Sequence, residues 1–151
     1  MKETLKNIHF NNIVHIYNEN QILYVKYAEG VILTRDIMVA TTEELKRLSG
    51  LCPSPVIWDL SGINYWTRNA REFMVRKETA DSIKKMAIIY SENSPLDILI
   101  NFFIKVHKPA YPVKYFKNNI EAICWIKNKP AILISPDLRR KFYNSLNISY
   151  N

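Results

Sequence analysis

The stretch PVIWDLSGINYWTRNAREFMVRK, Pro55–Lys77, decides the architecture, because its periodicity changes within a few residues. Pro55 to Leu60 is a short apolar run that reads as a buried strand. Thr67 to about Lys77 has helical spacing, with Thr67 as its N-cap. Between them, Asp59-Leu60-Ser61-Gly62 carries turn chemistry, since Asp and Ser side chains bond local backbone amides. A buried strand leading through a turn into a helix is half of a βαβ unit. The same rhythm returns downstream: Met86 to Tyr90 is a strand, Ser94-Pro95 starts a helix that Pro109 ends, Val113 to Phe116 is the last strand, and Asn118 or Asn119 caps a helix through Ile126.

Working outward, Ile13 to Tyr17 and Ile22 to Tyr27 form a hairpin across the polar turn Asn18–Gln21. Alternation within Ile22–Tyr27 is not clean, which points to a strand covered on both faces. Val31 to Leu33 is a further extended piece, and Thr34 caps a helix to about Leu48 that Gly50 stops. Past Pro130, Ile132 to Ile134 reads as a short edge strand. Pro136 to Leu146 reads as a helix with Leu138, Phe142 and Leu146 on one face and Arg139, Arg140 and Lys141 on others. The expectation is an α/β fold: a mixed sheet starting with an antiparallel hairpin, with helices packed on it. Residues 1–10 are expected to be loosely ordered, 11–128 to form the domain, and 129–151 to be a C-terminal extension docked on it.

The helix from Ser94 is unusual, since Asp97, Asn101, Lys105 and Lys108 fall in one polar strip about 80° wide at helical spacing. The rest of its circumference is apolar, so something besides its own sheet must cover it. That cover is a second subunit, a neighbouring helix or an apolar ligand, and Leu99, Phe102, Phe103 and Val106 are the candidate interface residues.

With 151 residues, 48% of them hydrophobic, the chain fits one domain with a real core. Cys52 and Cys124 are too few for a disulfide framework, and MKETLKNIHF lacks an apolar run of signal-peptide length. No charge-free run reaches transmembrane length, so a soluble cytoplasmic protein is expected. The net charge of +7 favours acidic partners, but the basic residues are scattered in twos and threes, which argues against nucleic acid.

Glycine excludes several chemistries at once. Gly30, Gly50 and Gly62 are the only ones and lie far apart, so neither a dinucleotide fingerprint nor a phosphate loop can be written. His9, His15 and His107 show no metal-ligand spacing, and no pair among Glu72, Glu78 and Asp97 is singled out for acid/base work. No catalytic residue, metal or cofactor is assigned, and an enzyme is not expected. One constellation survives. Ligands of open α/β sheets bind beyond the carboxyl ends of parallel strands. There Ser61, Thr67, Arg68 and Ser94 offer helix N-termini, hydroxyls and a guanidinium to an anion, with Tyr65 and Trp66 as adjacent apolar surface.

At VIWDLSGINYWTRNA (Val56–Ala70) the chain resembles STAS-type domains, the anti-sigma-factor antagonist family, in which a strand ends in Asp-Leu-Ser-Gly and leads to Asp-Ser at the next helix start. That pair falls here on Thr67 and Arg68, so arginine stands where the family has its phospho-accepting serine. A wider likeness runs from about Ile13 to Lys127. ILYVKYAEGVILT, TRNAREF, SPLDILINFFIKVHKPAYPVKYF and the segment with Asn119, Glu121, Ala122, Trp125 and Ile126 resemble small bacterial proteins described as SpoIIAA-like, or STAS/SEC14-like. The resemblance implies a βα superhelix, a tendency to homodimers, and no established catalytic residues. The leading reading is a non-enzymatic regulatory or protein-interaction domain that forms homodimers. A carrier of a small apolar, lipid-like ligand and an anion-binding site around Thr67 and Ser94 are the alternatives.

Overall fold

This computed structural model describes residues 8–10, 12–91, 105–106 and 108–129. Strands β1 (Ile8–Phe10), β2 (Val14–Glu19) and β3 (Ile22–Tyr27) run antiparallel in turn. The β2–β3 turn is tighter than the sequence suggests. Asn20 and Gln21 both take positive φ, 51° and 66°, the left-handed pair that lets a two-residue loop follow the twist of its strands. Ile8–Phe10 pair with the outer edge of β2, which offers them backbone partners.

From β3 the sheet continues in parallel through β5 (Ser54–Asp59), β7 (Ile83–Ile89) and β8 (Val113–Phe116), in the order β1-β2-β3-β5-β7-β8. Lys26, Asp59, Ile89 and Phe116 are successive register partners, so the carboxyl ends of the parallel strands finish in one row. Two short strands leave this row. β4 (Val31–Leu33) and β6 (Ile63–Trp66) pair in parallel as a separate annex. The annex forms because the loops after β3 and β5 lie side by side: the Gly30 amide donates to the Gly62 carbonyl at 2.7 Å.

The helices start and stop on the expected residues with one exception. Thr34 accepts from the Ile37 amide to begin α1 (Arg35–Ser49), and Gly50 at φ 66° ends it. Thr67 accepts from the Ala70 amide at 3.3 Å to begin α2 (Arg68–Met74). That helix stops before Lys77, because the Thr79 hydroxyl of the single-turn α3 (Lys77–Ala80) takes the Phe73 carbonyl at 3.0 Å. Asn118 caps α4 (Asn119–Ile126) through the Glu121 amide.

Two hydrophobic layers flank the sheet. Val25, Trp58, Met86 and Ile88 face Met38 and Leu45 of α1 and Phe73 and Met74 of α2. On the opposite side Tyr24, Ile57, Ala87 and Ile89 face Ala122, Ile123 and Ile126 of α4. Cover on both sides explains the imperfect alternation of Ile22–Tyr27. The Lys85 ammonium locks α4 down. It donates to the Trp125 carbonyl at 2.7 Å and to Asn128 Oδ1 at 3.0 Å, and stands 4.2 Å from the Trp125 ring centroid, a cation placed at a helix carboxyl end. The helix expected from Ser94, including Leu99, Phe102 and Phe103, lies outside the described residues except for Lys105, Val106 and Lys108; the elements expected after Pro130 lie outside them entirely. Val106 is 55% exposed.

A Cβ added at Gly62 would sit 3.0 Å from the Tyr27 carbonyl oxygen and 3.4 Å from that of Ala28, both backbone atoms. Gly62→Ala is therefore expected to lower stability by about 1–3 kcal/mol in urea denaturation. A loss below ~0.5 kcal/mol, the scale of ordinary surface changes, would mean that the two loops separate freely.

Candidate functional site

Asp59 ends β5 and fixes the loop beyond it, its Oδ1 accepting from the Ser61 amide at 2.9 Å and from the Ser61 hydroxyl at 2.5 Å. From there β6 carries the chain toward α2. Its inward residues are Ile63 and Trp66, and its outward residues are Asn64 and Tyr65. Trp66, expected on the surface beside Tyr65, is instead 1% exposed in the core; β6 is a strand, and its side chains are divided between core and solvent. Tyr65 is 48% exposed and stands opposite Ile32 of β4, which is 54% exposed, so the annex presents a pair of large apolar side chains on paired backbone.

Charged residues border this pair. Arg68 is exposed at the start of α2 and donates from Nε to Glu72 Oε1 at 2.8 Å, one helical turn along. Arg71 is held closer in, donating to the Trp66 carbonyl at 2.5 Å. The Thr67 hydroxyl is engaged as the helix cap.

Tyr65, Thr67 and Arg68 are thus neighbours, but Ser61 is not. Gly62 and the four residues of β6 stand between it and Thr67, the strand alone spanning roughly 13 Å of extended chain. Ser94 lies outside the described residues. β6 therefore lies along the chain between Ser61 and the cap of α2 at Thr67.

Sequence reasoning missed a second cluster, on the sheet face that carries α4. Tyr17 of β2 pairs with Tyr24 of β3, and their rings stack at 4.8 Å between centroids with 2° between planes. His15 lies 5.1 Å from the Tyr17 ring and faces Lys26, which in turn faces Asp59. The signal was available, since positions 17 and 24 are equidistant from the 20–21 turn. Burial, with Glu19 and Asp59 adding to it, pushes the Tyr17 phenol up to about 12. Burial likewise raises Tyr24, reinforced by Tyr17 and Glu19. Tyr27 points to the other face, where burial raises it and its hydroxyl meets Thr41 Oγ1 at 3.2 Å. At the end of the hairpin, Asn12–His15 and Lys26–Glu29 line an open groove of about 500 Å³.

Among the described residues no three His, Cys, Asp or Glu side chains converge as metal ligands. No described helix is long and apolar enough to cross a membrane. Cys52 is exposed and Cys124 buried, and neither is in a disulfide.

Comparison with known families gives a match over residues 16–129 to a domain of unknown function, DUF7793. The chain belongs to the DUF7793 family. No curated protein matches it in sequence. Among solved structures, it is similar to an uncharacterised DUF3478-family protein with a SpoIIAA-like fold from Shewanella loihica PV-4. That match has 15% identity and a TM-score of 0.53, and covers 83% of this chain and 98% of the other. It is also similar to an anti-sigma factor antagonist from Mycobacterium paratuberculosis, with 10% identity and a TM-score of 0.54, over 80% of this chain and 99% of that one. This DUF7793 chain therefore has the SpoIIAA-like fold anticipated from its sequence.

Raised phenol values give stability a defined alkaline limit. A tyrosine favoured in its neutral form by the fold contributes fully below its ordinary value near 10. It loses that contribution as pH rises through its folded value, about 12 for Tyr17. Urea midpoints are expected to fall across that window, and Tyr17→Phe is expected to make the fall shallower. An identical pH profile in the variant would show that Tyr17 is not a source of the alkaline loss.

Proposed function

We propose that this DUF7793 chain is a non-enzymatic regulatory or protein-interaction domain that docks a protein partner on the annex formed by Ile32, Tyr65 and the start of α2. One observation carries the reading: two large apolar side chains stand outward together on paired backbone beside exposed Arg68. Apolar anchors rimmed by charge are the pattern of protein contact surfaces. The likeness to an anti-sigma factor antagonist supports a regulatory role.

Arg68 takes the position that the STAS pattern gives to a phospho-accepting serine. A guanidinium bonded to Glu72 accepts no phosphoryl group, and the Thr67 hydroxyl beside it caps the helix. Binding at this surface is accordingly not switched by phosphorylation at position 68. The homodimer contact of this reading uses Leu99, Phe102, Phe103 and Val106, and exposed Val106 is consistent with it. Cys52 and Cys124, neither of them in a disulfide, fit a reducing cytoplasm. The apolar-carrier alternative depends on the same helix from Ser94. The anion-site alternative is weakened by the distance from Ser61 to Thr67 and by the hold of Glu72 on Arg68.

The test is recovery of a partner by the tagged chain from its own host, followed by affinity measurements on Ile32→Asp and Tyr65→Asp. Each variant is expected to bind at least tenfold more weakly, about 1.4 kcal/mol, while its thermal unfolding stays close to wild type because both sites are exposed. Undiminished binding by both variants would remove the annex from the contact surface.

A further inference from the structure

The two ends of the parallel strands differ in charge. At the carboxyl edge, cations stand beside carboxylates: Asp36 follows Arg35, Arg68 donates to Glu72, and Lys26 is in register with Asp59. The amino edge gathers the last turn of α1, the loop into β5, the start of β7 and the end of α4. It carries exposed Lys46, Arg47, Lys84, Lys127 and Lys129, with Lys85 half-buried among them. Glu19, Glu43, Glu44 and Asp81 oppose them, Glu44 through an ion pair with Arg47, and the edge stays net positive. Burial, and then the Lys84 charge, holds the Lys85 ammonium below the ordinary lysine value, so the positive field reaches into the fold.

An apolar tip projects from the same edge. Leu51, Cys52 and Pro53 are consecutive and exposed, and Leu51, at 103%, has no protein surface against it. The other exposed large apolar side chains among the described residues stand at 38–55%. The loop is fixed at its root. The Ser49 hydroxyl and the Ser54 amide both donate to the Ser82 carbonyl, at 3.3 and 3.1 Å, and Gly50 at φ 66° turns the chain out of α1. Leu51 is thereby held away from the core.

A lone exposed leucine is ordinary on a protein surface. One on a pinned tip among cations can enter the headgroup boundary of an anionic bilayer while the lysines meet its charged headgroups. The cations lie below helices on both faces of the sheet, a spread that suits a broad anionic plane better than a narrow peptide. Duplex nucleic acid would offer them phosphate but no apolar layer for Leu51.

We propose that the amino edge of the sheet is a peripheral membrane-docking surface, with Leu51 entering an anionic lipid bilayer and Lys46, Lys84, Lys127 and Lys129 on its headgroups. The annex lies beyond the opposite edge, so a chain docked in this way keeps Ile32 and Tyr65 turned to the aqueous side.

Sedimentation of the full chain with lipid vesicles tests this. The chain is expected to pellet with vesicles of phosphatidylcholine and phosphatidylserine but not of phosphatidylcholine alone, and to be released as salt rises. Leu51→Asp is expected to bind about tenfold more weakly and Lys84→Glu about fivefold. Both variants are expected to unfold at the wild-type temperature, because both sites are exposed. A polarity-sensitive dye on Cys52 is expected to shift to the blue on the mixed vesicles, while buried Cys124 escapes labelling. Failure to pellet with phosphatidylserine, wild-type binding by Leu51→Asp, or an unmoved dye on pelleted chain would overturn the proposal. So would duplex DNA bound as tightly as the vesicles and equally well by Leu51→Asp.

Discussion

Burial of β5 on both of its faces is the constraint on which the structure depends. Val56 and Trp58 point into the layer beneath α1 and α2, and Ile57 points into the layer beneath α4, all essentially without solvent. A strand of this kind has no polar face to offer water, so the chain must supply helices to both sides and strands to both edges. β3 and β7 meet the second demand in parallel register, and the carboxyl ends of the strands fall in line as a result. What projects beyond that line is set by the loops.

Two glycines govern those loops. The Gly30 amide meets the Gly62 carbonyl, and at Gly62 even a methyl group would crowd the Tyr27 backbone. Close approach here brings Val31–Leu33 against Ile63–Trp66 and makes a two-stranded annex from segments too short to be stable alone. The annex then presents Ile32 and Tyr65 outward, buries Trp66 and positions Arg68 at the next helix start. The candidate contact surface is therefore a consequence of loop packing and not of a motif.

Much of the frame was legible. The caps Thr34, Thr67 and Asn118 and the stop at Gly50 are local hydrogen-bonding and conformational signals, and each works where the sequence places it. The strand Val113–Phe116 is bounded as read. Less legible were features that need a distant partner: β1 takes its order from the edge of β2, β6 from β4, and the early end of α2 from the Thr79 hydroxyl. Trp66 was misplaced for the same reason, since its burial follows from the pairing of β6.

By itself, the sequence determined the fold class, the positions of most elements and the STAS-like stretch from Val56 to Ala70, because apolar periodicity, capping side chains and turn residues act over a few neighbours. Tertiary structure alone decided which residues share a surface. It separated Ser61 from Thr67, joined Ile32 to Tyr65 and stacked Tyr17 on Tyr24. Those outcomes depend on strand pairing between segments far apart in the chain, and no local pattern of residue types encodes a register across that distance.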